Sequence, residues 1–127
     1  MKKFVISTLK APKAIGPYSQ AVRISELVFT SGQLPINSEK GEIICSDIEG
    51  QTNQSLINLS EILKEAGSNL HKVIKTTVYL SDMNNFDKMN KIYKEFFKEG
   101  NYPARTAIEV SKLPKNALVE IEAVAYI

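Results

Sequence analysis

The sequence predicts a single α+β domain, residues 1–127, in which two helices pack on one face of a mixed β-sheet. Three observations lead to this class. Apolar residues recur at spacings of three and four in two segments, which indicates two amphipathic helices. Short runs rich in β-branched residues surround these segments, which indicates strands. The length suits one hydrophobic core, and no linker, repeat or low-complexity segment divides the chain.

The N-terminal third is predicted to contain three short strands. Lys3–Ser7 has the pattern of an edge strand, and a loop rich in Gly and Pro follows it. Ala21–Ile24 and Leu27–Ser31 are expected to pair as a hairpin. Gly32 and Pro35 then end the second strand of the hairpin.

The first helix gives the strongest periodic signal in the chain. Ser46 and Glu49 match a capping box at its start, and Gly67 suits a left-handed cap at its end. The second helix is predicted from about Asn85 to Phe97. The apolar stripe of the first helix consists of Ile48, Thr52, Leu56, Leu59, Leu63 and Ala66.

The remaining strands are predicted at Val73–Leu80, Ala104–Val110 and Ala117–Ile127. We expect the last two to pair in antiparallel fashion, with Arg105 directly opposite Glu120. This register keeps the apolar residues of both strands on one face, whereas a slip of one residue would not. The helix-packed face would carry Ala104, Thr106, Ile108 and Val110 with Val119, Ile121, Ala123, Ala125 and Ile127.

The opposite face of this expected pair mixes charged and apolar residues. It would carry Arg105, Ala107, Glu109, Leu118, Glu120, Glu122, Val124 and Tyr126. One interpretation is a cross-strand ion pair between Arg105 and Glu120. The other is an Arg that binds an anionic ligand beside a carboxylate that handles a proton or a water molecule. Because this face would be uncovered in a monomer, it favours a closed oligomer with small-molecule sites in clefts between subunits.

The composition excludes several classes of site. The single Cys45 forms no intramolecular disulfide, and with the single His71 it is too little for a zinc site of the usual kind. Sixteen Lys and Arg against 14 Asp and Glu give a formal charge of +2, too small for a dedicated nucleic-acid binder. No apolar run approaches the ~18 residues of a membrane span and no secretion signal is recognised, so we expect a cytoplasmic protein.

Four motifs together resemble the Rid/YjgF family of reactive-intermediate deaminases, in its RidA branch. They are Ala14–Gln20 (AIGPYSQ), Thr30–Pro35 (TSGQLP), Pro103–Thr106 (PART), and Leu113–Lys115 (LPK) followed by Glu120–Ala123 (EIEA). The resemblance implies a chorismate-mutase-like (YjgF-like) sandwich and a homotrimer with clefts between subunits. It also implies hydrolysis of 2-iminobutanoate and 2-iminopropanoate to 2-keto acids and ammonia without metal or cofactor, a reaction that protects pyridoxal-phosphate enzymes.

The resemblance also implies roles for particular residues. Arg105 would bind the substrate carboxylate, Glu120 would orient or deprotonate the attacking water, and Tyr18 would close the cleft from a neighbouring subunit. Many family members carry Cys where this chain has Ala107, a position that contacts the ligand mainly through its backbone. The implied substrate-binding residues are Ser31, Gly32, Asn90 and Ala107.

Two alternatives to an imine deaminase remain at this point. The same cleft could bind keto acids without turnover, as a ligand-sensing or regulatory module that binds other proteins. The family also carries the label of ribonuclease or translation inhibitor. One His and a near-neutral charge give that label little support.

Overall fold

Both helices cover one face of a six-stranded mixed sheet, and the computed structural model describes the whole chain, Met1–Ile127. The strands are β1 Lys3–Ile6, β2 Ala21–Ile24, β3 Leu27–Thr30, β4 Val73–Leu80, β5 Ala104–Glu109 and β6 Val119–Tyr126; the helices are α1 Ile48–Glu65 and α2 Phe86–Phe96. The sheet order is β1-β2-β3-β6-β4-β5, with only β4 and β5 parallel. The predicted fold class and every predicted helix and strand are confirmed.

Of the two caps predicted for α1, the one at its start is wrong and the one at its end is confirmed. At the start, the Asp47 carboxylate accepts a 2.7 Å hydrogen bond from Gly50 N, so the predicted capping box of Ser46 and Glu49 is wrong. Asp47 is the residue just before the helix and has an extended backbone. From this position a side chain can reach the free N–H groups of the first turn. At the end, Gly67 has a φ of +87°, as the predicted left-handed cap requires.

The pairing expected between the last two strands is wrong. β4 lies between β5 and β6, so Arg105 pairs with Thr76 and Glu120 pairs with Tyr79. The chain leaves β4 through α2 and returns to the sheet edge as β5, which makes β5 parallel to β4. β6 then crosses to the other side of β4 and also pairs with β3.

The faces expected for β5 are also reversed. Arg105 contacts α2, and Ala107 packs against the core, so both lie on the helix side. Ala104, Thr106 and Ile108 are exposed and do not pack under the helices. The expectation for β6 is correct: Val119, Ile121, Ala123 and Ala125 are buried, and Glu120, Glu122 and Val124 alternate with them on the open side.

The core lies between the helices and the centre of the sheet. Its largest fully buried side chains include Leu56, Leu59, Ile62 and Leu63 from α1, with Val78, Val119 and Ile121 from the sheet. From α2, Met89 and Tyr93 complete it, and the Tyr93 hydroxyl makes a buried 2.7 Å hydrogen bond with Thr76 Oγ1. Neither helix has the length and apolar content that crossing a membrane would require.

Candidate functional site

One cavity, of about 570 Å³, lies between the N-terminal loop, the end of β3 and the start of β6. The structure brings four of the predicted site residues to it: Tyr18, Ser31, Gly32 and Glu120. We call it the Glu120 cavity. Two hydrogen bonds of 2.7 and 3.2 Å between the backbones of Gln33 and Ile121 join the segment after β3 to β6 and set these residues side by side.

The Glu120 carboxylate lies against the backbone of Gly32 in this cavity. A Cβ added at Gly32 would overlap Glu120 Oε2 and lie 2.9 Å from its Cδ. Only a residue without a side chain therefore permits this approach of backbone and carboxylate. Glycine is needed at position 32 because the Glu120 carboxylate lies there, and not because the turn requires a special backbone conformation.

The N-terminal loop forms the opposite wall of the Glu120 cavity. Ser31 Oγ donates a 2.6 Å hydrogen bond to Ser19 O, and Ile15 N donates one of 3.3 Å to the half-exposed Tyr18 hydroxyl. The buried Gln20 amide accepts from Thr8 N at 2.7 Å and donates to Pro12 O at 2.7 Å. These hydrogen bonds of Gln20 hold the loop that carries Tyr18. In the sequence, only the motif Ala14–Gln20, which contains both residues, points to Gln20.

Glu120 has an unusual electrostatic environment. Burial, and to a smaller extent the Glu122 carboxylate, raises the pKa of Glu120 above its ordinary value. The pKa of the neighbouring Tyr79 is raised by burial and by both carboxylates. A carboxylate with a raised pKa is a stronger base than an exposed one, so Glu120 suits the acceptance of a proton from water.

Arg105 lies in a second cavity, of about 690 Å³, beside α2. We call it the Arg105 cavity. Arg105 Nη1 donates a 2.6 Å hydrogen bond to Asn90 Oδ1, and Cζ lies 4.8 Å from the ring centre of Tyr93 and 5.4 Å from that of Phe86. The aromatic faces stabilise the cation and limit its movement. The ion pairs of the chain are Lys64–Glu61 and Lys91–Glu49, so Arg105 has no carboxylate partner.

Two of the predicted binding residues accompany Arg105. Asn90 lines the Arg105 cavity and holds the guanidinium, while Ala107 lies two residues further along β5 on the same side of the sheet. Arg105 and Glu120 therefore lie on opposite faces of the sheet in one chain, so the cross-strand ion pair, one of the two interpretations of their pattern, is absent. Cys45 and His71 line neither cavity, and the chain has no cluster of three His, Cys, Asp or Glu side chains that could hold a metal ion.

Comparisons with known proteins place this geometry in context. The family model described as Endoribonuclease L-PSP matches residues 8–127. A RutC family protein of Pyrococcus abyssi is 54% identical over 126 residues, which cover 99% of this chain and 98% of the relative. The human 2-iminobutanoate/2-iminopropanoate deaminase is 49% identical over 121 residues, covering 95% and 88%. The structure of the Rid family protein YyfA from Yersinia pestis superposes with a TM-score of 0.96 at 47% identity, covering 99% and 100%.

Proposed function

Since the chain belongs to the RidA branch of the Rid/YjgF family, we propose that it hydrolyses 2-imino acids such as 2-iminobutanoate and 2-iminopropanoate to 2-keto acids and ammonia. The human relative with 49% identity carries the name of this activity, and other similar relatives carry only the RutC family name. The observation that carries the proposal is the half-buried Glu120 carboxylate, held against the backbone of Gly32 with a raised pKa.

The Arg105 guanidinium supplies the site for the substrate carboxylate. Asn90 occupies one of its five N–H donors, and the rings of Tyr93 and Phe86 cover its face. An edge with two parallel donors is left for a carboxylate, which matches the planar geometry of a 2-imino acid. Because no carboxylate of the chain pairs with Arg105, no internal ion pair must break before the substrate binds.

The reaction needs only an ordered water and a base. The protonated imine carbon is electrophilic, so the oxygen of a water molecule bonds to it while Glu120 accepts one proton of that water. The C=N electron pair moves to nitrogen and leaves a tetrahedral carbinolamine. Glu120 then returns the proton to nitrogen, and the C–N bond breaks with its electron pair on nitrogen. Glu120 takes the hydroxyl proton as the keto group forms and passes it to the departing ammonia, which leaves as ammonium. Placement of substrate, water and base in one geometry is the main contribution of the protein.

A complete site needs Arg105 from one copy and Glu120 from another, because one chain places them on opposite faces. We therefore propose that the sites lie in clefts between subunits, in the homotrimer that the resemblance to the family implies. The open face of the sheet supports assembly: Phe29 and Val124 pair on it, as do Leu27 and Tyr126, and three of these side chains are exposed. An apolar patch of this kind is typical of a face covered by another subunit.

The direct test is the decay of 2-iminobutanoate produced in situ by a threonine dehydratase. Catalysis predicts that the purified chain speeds release of the keto acid in proportion to its concentration. Binding of 2-oxobutanoate with no faster decay would instead identify a ligand-sensing module. Cleavage of RNA that persists through purification and is lost in Arg105→Ala would support the ribonuclease suggested by the description of the family model.

Gly32→Ala is expected to lower kcat/KM for 2-iminobutanoate by about 10²-fold, because the new methyl group displaces the Glu120 carboxylate by roughly 1 Å. The side chain of Glu120 can rotate away, so we expect the fold to persist. Steady-state kinetics and the melting temperature check this. Gly100→Ala is the control for a destabilising loss of glycine away from Glu120: its Cβ would meet nothing within 4 Å, but its φ of +85° strains an alanine, so the melting temperature should fall while kcat/KM stays near the wild-type value. Normal activity in Gly32→Ala would contradict the proposed position of Glu120.

The acid limb of the pH profile is expected to lie above the ordinary pKa of Glu. A base acts when it is ionised, so activity falls as the pH drops through the raised pKa of Glu120. Glu122→Gln removes the like charge and is expected to shift the acid limb of kcat/KM to lower pH. Glu61→Gln, a change on α1, should leave the limb unmoved. A shift to higher pH in Glu122→Gln would contradict this role of Glu120.

A further inference from the structure

The Glu120 cavity shares part of its wall with a third cavity, of about 320 Å³. We call this third one the outer cavity. Five residues line both cavities: Pro12, Lys13, Ile15, Ile36 and Lys115. The two spaces together are far larger than a four-carbon imino acid with one carboxylate. The shared wall combines the apolar surfaces of Ile15 and Ile36 with two ammonium groups.

The ammonium groups on this shared wall have no partner within the chain. Lys13 and Lys115 are absent from the two ion pairs of the structure. Lys40 adds a third cation to the outer cavity, against one carboxylate there, Glu39. The wall between the two cavities is thus a cationic surface that suits a second anionic group on a bound molecule.

The backbone of Lys115 supplies an independent observation. Its φ and ψ are 58° and 25°, the left-handed region that favours glycine, and Asn116 follows with a φ of 56°. The two residues are the central pair of a turn that a 3.2 Å hydrogen bond from Ala117 N to Pro114 O closes, and Asn tolerates this region better than Lys does. The turn fixes Lys115 at the edge of both cavities, and a lysine kept in an unfavourable backbone conformation at this place is a candidate for a role in binding.

We propose that Lys115, together with Lys13, binds the distal carboxylate of a dicarboxylic 2-imino acid. The substrate class then includes 2-iminosuccinate and 2-iminoglutarate, with the methylene groups against Ile15 and Ile36. This inference rests on the proposed function, in which Arg105 takes the carboxylate next to the imine and Glu120 serves the attacking water. The ammonium groups select among substrates and take no part in the bond changes.

The test compares Lys115→Gly with the wild-type protein on two imines, 2-iminoglutarate and 2-iminobutanoate, generated in situ by amino-acid oxidation. We expect kcat/KM for the dicarboxylic imine to fall at least about fivefold more than kcat/KM for the monocarboxylic one. The melting temperature should rise by about 2–4 °C because glycine relieves the strained backbone. Lys115→Arg should restore most of the preference, since it keeps the charge.

Lys112→Gly is the matched control, since Lys112 is an exposed lysine of the same connection and lines neither cavity. An equal fall for both imines in Lys115→Gly, or a lower melting temperature, would overturn the inference and leave the proposed function standing. If the wild-type protein hydrolyses neither imine, the proposed function fails and binding decides the inference. Calorimetry then compares 2-oxoglutarate with 2-oxobutanoate: loss of a 2-oxoglutarate preference in Lys115→Gly supports it, and an unchanged ratio of affinities overturns it.

Discussion

Replacing Arg105 with Ala is expected to lower kcat/KM for 2-iminobutanoate by about 10²–10³-fold. Two charge-assisted hydrogen bonds to the substrate carboxylate are lost, and Asn90, Tyr93 and Phe86 cannot replace them. Arg105→Lys should recover little of the loss, because an ammonium group lacks the planar fork and the stacking on two rings. Steady-state kinetics of imine hydrolysis measure both variants.

The control for Arg105→Ala is Lys94→Ala. Lys94 is exposed, lines the same cavity and forms no ion pair, so its removal takes the same charge from the same surface. We expect a change of less than about threefold for Lys94→Ala, the level of a solvent-screened charge. A similar loss in both variants would mean that general attraction of anions, rather than Arg105 itself, explains the effect. Full activity in Arg105→Ala would remove the basis of the proposed substrate site.

The helices and strands could be predicted because their signals are local. The stripe of α1 and the buried residues of β6 require only a period of 3.6 or 2 and an apolar partner. The neighbours of β5 could not be predicted in this way. A pairing of β5 with β6 satisfies the alternation of both strands, and only the return of the chain through α2 decides that β5 joins the far side of β4.

The reversed face of β5 has a physical cause in α2. On sequence pattern alone, Ala104, Thr106 and Ile108 form a more apolar set than Arg105 and Ala107. The structure nevertheless turns Arg105 toward α2, because the rings of Tyr93 and Phe86 and the amide of Asn90 accept a guanidinium at the edge of the core. Such an aromatic platform is formed by side chains far apart in sequence from Arg105, so strand periodicity carries no sign of it.

The candidate site was predictable as a set of residues and not as an arrangement. The motifs named Gly32 and Glu120, and the structure places them in contact. The sequence pattern predicts Arg105 and Glu120 opposite each other on two paired strands. The sheet instead holds the two residues on opposite faces. Every copy of the chain carries the motifs of both residues, and the sequence holds no local signal for how copies would assemble.

Mixing two inactive variants is expected to restore activity when the subunits exchange. Arg105→Ala and Glu120→Gln should each be at least about 10²-fold less active than the wild type. If each site takes Arg105 from one subunit and Glu120 from the next, an equal random mixture in a closed ring has both groups intact at about one site in four. Co-refolding, or co-expression with two different tags, followed by kinetics of the purified mixed oligomer, should give about a quarter of the wild-type activity.

The control mixture joins Glu120→Gln with Gly32→Ala. Both changes affect the same half of the site in the same chain, so no exchange of subunits can bring an intact Gly32 and an intact Glu120 together, and no activity should return. Recovery in the first mixture alone therefore separates a shared site from general stabilisation by mixing. No recovery in the first mixture, with mixed oligomers demonstrated by their tags, would contradict a site that takes Arg105 from one subunit and Glu120 from the next. Because one chain holds them on opposite faces of the sheet, that result would require a rearranged sheet or a reaction that does not use both residues.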